Sequence, residues 1–242
     1  MRTLPPSSYL YSRELTIVAI SDTHGMHRLI DIPSGDVLIH SGDLSWTGEL
    51  GEVAEFNAFL GTLPHRYKIV VAGNHDLCFE QQPAAARALL TNAIYLEDES
   101  VTIEGLKFYG SPWQPRFLDW AFNLNRGPEI RAKWELIPPD TDILITHGPP
   151  FGLRDYISQT HERVGCQDLL EVVQQVRPRY HFFGHIHDSA GVTIRYGTTF
   201  VNASICDMGY QPIHRPIICK VRLPRPKSAV RRATAPLPAL AS

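Results

Sequence analysis

Five times along this chain a short apolar run, mostly rich in Val and Ile, stops at small residues and passes almost at once into Asp, Asn or His. Leu15 to Ile20 leads through Ser21 into Asp22 and His24, and Val37 to His40 leads through Gly42 into Asp43. Lys68 to Ala72 leads through Gly73 into Asn74, His75 and Asp76. Asp142 to Thr146 runs into His147, and Tyr180 to Phe183 passes Gly184 into His185 and His187. Runs this short, bounded by turn signals, predict buried strands rather than helices. In open α/β sheets ligands gather beyond the carboxyl ends of the strands, so the five turns are expected to converge. The glycines at 42, 73, 148 and 184 are expected to permit the tight backbone such turns need.

The rest of the pattern supports a layered α/β protein with mixed sheets. Leu50, Val53, Phe56, Leu60 and Leu63 recur at helical spacing, as do Leu169, Leu170, Val173 and Val176. A third helix is expected from Pro128 to Leu136, with Pro in its first turn and Pro138-Pro139 after it. Val101 to Ile103, Leu106 to Tyr109, Val192 to Tyr196, Thr199 to Val201 and Ile217 to Val221 alternate more and read as antiparallel strands. No linker divides residues 13 to 223, which read as one domain. Residues 224 to 242 carry four prolines and no periodicity, and read as a disordered tail. Within it Arg231-Arg232-Ala233-Thr234 resembles a basic-directed kinase site, though a solvated basic tail is the plainer reading.

Charge and cysteine usage narrow the function classes. The net charge is −2, but the tail contributes +4 through Arg225, Lys227, Arg231 and Arg232. The remaining residues hold 19 basic and 25 acidic side chains, a balance of −6. Such a body argues against a stable nucleic-acid grip, which works by neutralising phosphates with Lys and Arg. Cys78, Cys166, Cys206 and Cys219 form no CxxC pair and read as reduced thiols. No apolar run approaches the ~18 residues that span a bilayer, and Met1 to Pro6 has no secretory h-region. A cytoplasmic protein without a membrane partner is therefore expected.

Singly, an Asp after a strand is usually a turn residue or cap, and a His is more often structural than a ligand. It is the set that carries information: seven imidazole, carboxylate and amide groups on five similar strand ends. In this order, Asp22-x-His24, Gly42-Asp43, Gly73-Asn74-His75-Asp76, His147 and Gly184-His185-x-His187 resemble the calcineurin-like metallophosphoesterase superfamily. Gly110-Ser111-Pro112-Trp113, Trp120-Ala121-Phe122-Asn123-Leu124, Thr146-His147-Gly148-Pro149-Pro150 and Val201-Asn202-Ala203-Ser204 are similar to its small metallophosphoesterase-domain-containing subgroup. Active members of that subgroup cleave phosphodiesters, cyclic nucleotides among them. The resemblance implies a four-layer sandwich of two stacked mixed β-sheets flanked by helices.

It also implies two divalent metal ions. Asp22, His24, Asp43 and His187 would hold the first, and Asp43, Asn74, His147 and His185 the second, with Asp43 bridging. Imidazole with carboxylate and amide oxygen, and no thiolate, suits Mn, Fe, Zn, Co or Ni. The ions would leave the site net positive, which favours an anionic phosphate even on an acidic body. In the family a metal-bridging hydroxide attacks phosphorus in line, and the histidine matching His75, oriented by the acid matching Asp76, protonates the leaving alkoxide.

Two departures bear on the substrate. The wider superfamily often has a second Asp three residues after the bridging one, and here that residue is Trp46. The Arg with which phosphoprotein phosphatases grip phosphate is missing from Gly42 to Thr47. Arg126, following Asn123 and Asn125, is the candidate replacement, because a guanidinium can pair a phosphate bidentately. His27 is a further candidate for substrate contact, and Trp113, Trp120 and Phe122 for stacking a base or for the core. His40 reads as a strand residue, and His65, His161, His181 and His214 as surface or structural. The expected activity is hydrolysis of a small phosphoester, more a diester than a monoester. The alternatives are a phosphomonoesterase or phosphoprotein phosphatase, and a weakly active metal-bound regulatory protein.

Overall fold

Alternation along each strand divides the apolar residues between two faces, and that division builds the layers. In strand β1 (Glu14–Ile20), Ile17 and Ala19 face one way, and Val18 and Ile20 the other. The computed structural model describes residues 13–224; apart from Pro224, the tail expected over 224 to 242 lies outside the described residues.

Beyond β1 come β2 (Val37–His40), helix α1 (Leu50–Thr62), β3 (Tyr67–Val70), α2 (Leu77–Gln81), α3 (Pro83–Leu89) and β4 (Ile94–Tyr95). The second half opens with β5 (Glu99–Ile103) and β6 (Leu106–Ser111), joined by a two-residue turn at Glu104 and Gly105. Both turn residues have positive φ, as the tight hairpin requires. The short strands β7 (Gln114–Pro115) and β8 (Asn123–Leu124), helix α4 (Pro128–Trp134) and β9 (Ile143–Thr146) follow. Next are β10 (Tyr156–Ile157), β11 (Glu162–Arg163), α5 (Gln167–Val176) and β12 (Tyr180–Phe183). The chain continues through β13 (Gly191–Arg195) and β14 (Thr198–Asn202), and β15 (Ile217–Arg222) is the last element described.

One sheet has the order β15-β1-β2-β3-β4, and the other the order β13-β14-β12-β9-β6-β5. Ile17, Ile39, Ile69 and Val71 of the first sheet meet Phe108, Ile145, Phe182 and Val201 of the second in the core between them. On the outer face of the first sheet, Val18, Ile20 and Leu38 pack with Val53, Phe56 and Leu60 of α1 and with Phe79 and Ala86. On the outer face of the second, Leu144, Phe183 and Phe200 pack with Ile130 and Trp134 of α4 and with Leu169 and Val173 of α5. The four layers match the expected sandwich.

Local chemistry sets the helix ends. The Glu52 carboxylate accepts the Glu49 N–H at 3.0 Å and the Trp46 N–H at 2.7 Å, closing the start of α1. Pro128 occupies the first turn of α4, where a missing N–H costs nothing. The Cys166 sulfur accepts the Leu169 N–H at the start of α5. The short α2 and α3 were not legible as helices: five residues carry too few turns to establish a period in α2, and the run of alanines in α3 gives no contrast between its faces. The antiparallel reading of the later runs holds for β5 with β6, β13 with β14 and β15 with β1. It needs correcting for the opposite edges, where β6 pairs parallel with β9 and β14 pairs parallel with β12. A strand has two edges, and a hairpin settles only one of them.

Candidate metal centre

The carboxyl ends of β1, β2, β3, β9 and β12 do converge, and they bring the seven expected ligands together across both sheets. Four of these side chains sit on left-handed backbone: Asp22 (φ 54°), His24 (φ 42°), Asp43 (φ 55°) and His185 (φ 67°). Such conformations cost free energy in non-glycine residues and are characteristic of sites where surrounding structure dictates the geometry. Backbone bonds brace the first two turns, with the Asp22 N–H on the Gly42 carbonyl at 2.9 Å and the His24 N–H on the Asp43 carbonyl at 3.0 Å. Close approach explains three of the glycines, Gly42 among them, where a Cβ would fall on His147 Nδ1. A Cβ on Gly184 would fall on the Asp22 carboxylate and the Ser21 hydroxyl, and one on Gly73 would fall on Asp43. Gly148 differs from expectation, because a Cβ there would meet only Gln114 at an ordinary 3.6 Å.

The ligating atoms form overlapping groups. Asp22, His24 and His187 make one group, Asp43, His147 and His185 a second, and His24, Asp43 and His75 a third between them. The Nε2 atoms of His24 and His187 are 3.4 Å apart, and His187 Nε2 lies 3.3 Å from Asp22 Oδ1. His147 Nε2 lies 3.4 Å from Asp43 Oδ2 and 2.9 Å from Asn74 Oδ1. The opposite nitrogens are fixed by carbonyls, which only accept: His187 Nδ1 donates to Asp207 at 2.9 Å, and His147 Nδ1 donates to Ser41 at 3.0 Å. That arrangement points the Nε2 of each ring inward, as second partners do around metal-ligating imidazoles. The donor set therefore fits divalent cations, with Asp43 shared between groups.

Electrostatics agree. Burial alone would raise the Asp22 carboxyl, but the His187 hydrogen bond and the charges of His187, His147 and His24 hold it well below the carboxylate range. Burial likewise opposes ionisation of Asp43, and the charge and hydrogen bond of His147 override it. Burial pulls His147 down while the Asp43 charge and hydrogen bond push it up to about 9. His187 rises to about 8 against the same burial, through its hydrogen bond to Asp22 and the charge beside it. Desolvation carries His185 down to about 3, so it stays a neutral ring. Two anionic carboxylates and several inward-facing nitrogens favour cations, and protons compete with metal for those nitrogens.

His75 lies at the edge of the groups and is buried. Its Nδ1 donates to the Trp46 carbonyl at 2.9 Å, and its ring stacks on Trp120 with centroids 4.1 Å apart. The orienting role expected of Asp76 is thus met by Trp46 and Trp120. The Asp76 carboxylate turns away and accepts from Gly73 N–H at 2.8 Å, Ser45 N–H at 3.0 Å and Ser45 Oγ at 2.6 Å. It ties the β2 and β3 turns together. Burial, reinforced by the charge of Asp43, raises it to about 6 against those hydrogen bonds.

The expected substrate contacts fare differently. Arg126 reaches the cleft over the metal groups, but its guanidinium donates to the Gly165 carbonyl at 2.7 Å and the Val164 carbonyl at 2.6 Å. Asn123 is turned into its own loop, bonded to Phe117, Leu118 and Trp120. His27 is buried against Phe56 and Phe59, where desolvation lowers it to about 4. Neither lines the cleft, because loop closure in one case and packing on α1 in the other uses the side chain. Trp113 and Phe122 belong to the packing beneath the first sheet's helices, and Trp120 serves His75.

The cleft has a volume of about 290 Å³. His24, Asp43, Asn74, His75, His185 and His187 contribute to its lining, with Phe117, Ile157, Val164, Met208 and Tyr210 as further walls. Tyr210 was missed in the sequence. Its ring centroid is 4.9 Å from that of His24 and 4.8 Å from that of Trp46. It sits in the loop after β14, where no periodicity marks it, and the nearby Asn202-Ala203-Ser204 was the available signal.

The sequence pattern of the calcineurin-like phosphoesterase family matches residues 15–189. The chain belongs to that family. Human metallophosphoesterase domain-containing protein 1 is 47% identical over 232 residues, which cover 86% of this chain and 71% of its own. A UPF0046 protein of Caenorhabditis elegans is 42% identical over 240 residues, covering 90% of this chain and 85% of its own. Phosphopantetheinyl hydrolase from Mycobacterium tuberculosis shares the fold, with a TM-score of 0.57 at 16% identity over 90% of this chain and 99% of that one. The chain is a metal-dependent hydrolase of phosphoric esters. Among the described residues no helix is long and apolar enough to cross a membrane.

Proposed function

We propose that this phosphoesterase works with two divalent ions and prefers small phosphodiesters, cyclic nucleotides among them. The observation that carries the reading is the sharing of Asp43 between ligand groups in the lining of one cleft. Asp22, His24, Asp43 and His187 would hold one ion, and Asp43, Asn74, His147 and His185 the other. Bound there, the ions supply Lewis acidity toward phosphoryl oxygens and activate water for attack on phosphorus.

The chain's own residues do the rest. With His75 Nδ1 committed to the Trp46 carbonyl, Nε2 of the doubly protonated ring is the nitrogen left to give a proton to the departing alkoxide, leaving the neutral Nδ1–H ring. The stack on Trp120 keeps the ring from turning away. Asp76 takes no part in proton transfer in this reading; it holds the Asp43 and Asn74 turns in register. Apolar walls at Phe117, Ile157, Val164 and Met208 exclude water and suit an organic group on the phosphate. A diester offers two such groups and one negative charge. A monoester dianion would call for cations, and Arg126 is already committed to two carbonyls. Four free, buried cysteines support a reducing, cytoplasmic working place.

The test is hydrolysis of bis(p-nitrophenyl) phosphate beside p-nitrophenyl phosphate, with protein stripped of metal and reloaded with Mn. Metal-dependent cleavage of the diester is expected. Activity confined to the monoester would replace this reading with a phosphatase, and turnover of neither substrate by metal-loaded protein would favour a binding role.

A further inference from the structure

Each sheet carries one histidine that faces away from the metal groups and is fully buried. His40 ends β2 on the outer face of the first sheet, its ring centroid 5.0 Å from that of Phe56. His181 lies in β12 on the outer face of the second sheet, against Phe183 and Phe200. Both are 0% exposed, so their ring nitrogens can bond only inside the protein; both nitrogens of His40 do so, and of His181 only Nε2 does.

The hydrogen bonds fix the tautomers. The Gly42 N–H points at His40 Nδ1 at 3.3 Å, so that nitrogen is the acceptor and Nε2 carries the proton. His40 Nε2 is 2.9 Å from Thr23 Oγ1 and therefore donates to it. One imidazole thereby joins the residue between Asp22 and His24 to the residue before Asp43. In the second sheet, Thr146 Oγ1 donates its single proton to the Gly148 carbonyl at 2.7 Å. The contact of His181 Nε2 with Thr146 Oγ1 at 2.8 Å is then a bond donated by the ring. The Thr146–Gly148 bond closes a loop around His147, and His181 holds the hydroxyl in place to make it.

We propose that His40 and His181 are positioning residues of the metal centre, acting through Thr23 and Thr146 to hold the Asp22–His24, Asp43 and His147 turns in ligating geometry. The inference rests on the two-metal reading above. Ligands on left-handed backbone need such bracing, since the turns gain nothing by adopting that conformation alone.

The test measures Mn affinity and steady-state kinetics for wild type, Thr23→Val, Thr146→Val, His40→Phe and His40→Gln. Valine keeps the shape of threonine while removing the hydroxyl, so the two threonine variants report even where a histidine variant fails to fold. Each is expected to weaken Mn binding about 10-fold or more and to lower kcat with KM little changed. His40→Gln, whose amide can donate to Thr23 from near the Nε2 position, should recover much of what His40→Phe loses. Adding Thr23→Val to His40→Phe should cost little more than either alone. Wild-type Mn affinity and kcat in both threonine variants would overturn the inference while leaving the two-metal reading intact. A wild-type chain that binds no divalent ion would overturn both.

Discussion

At His75 the two ring nitrogens have separate tasks, and the division comes from groups that sequence spacing does not reveal. A backbone carbonyl 29 positions away accepts the Nδ1–H hydrogen bond, and an indole from a third segment covers the ring face. Replacing His75 with Ala should lower kcat on a diester by roughly 10²–10⁴-fold, the usual contribution of a positioned acid, with the number of bound ions unchanged. Unchanged turnover would remove His75 from proton transfer. Loss of an ion would instead make it a ligand, which its place beside His24 and Asp43 allows. The seven candidate ligand positions were legible because each follows a strand, and strand ends converge by topology. The partners of Asp76, Arg126 and Asn123 were not, because loop carbonyls and N–H groups carry no side-chain signature.

The turns that present the ligands are tighter than the strands that precede them, and their tolerance for change is correspondingly small. Gly184 lies under the Asp22 carboxylate, and no flexible side chain stands ready to yield. Gly184→Ala should displace Asp22 or His185 and weaken metal binding at least 10-fold. Gly51→Ala, in α1 with open space around the new methyl, should leave binding unchanged and stabilise the helix by about 0.5–1 kcal/mol. Equal metal affinity in the two variants, measured by titration, would contradict the packing argument. At this scale the apolar runs and the helices near Leu50, Pro128 and Leu169 could be read directly. The inner edges of β6 and β14 could not, since local alternation marks a strand without choosing its second neighbour.

Across the whole molecule, the candidate centre depends on two stacked sheets that bring the carboxyl ends of their strands together. β1, β2 and β3 bring Asp22, His24, Asp43 and Asn74, and β9 and β12 bring His147, His185 and His187. Neither sheet completes a ligand group alone in the first and second clusters, so the packed core between them fixes the distances across the centre. The sandwich was readable from the order of the motifs. The aromatic wall at Tyr210 came from the return of the chain toward β15, which no motif announced. The account turns on the number of ions and their shared ligand. The most direct measurement is a calorimetric titration of stripped protein with Mn at pH 7, in buffers of different ionisation heat, for wild type and Asp43→Asn. Two ions per chain are expected in the wild type. Protons should be released, because His147 near 9 and His187 near 8 are charged at that pH before metal binds. Asp43→Asn should weaken both binding events. A single ion, bound equally well by the variant and without proton release, would contradict the account.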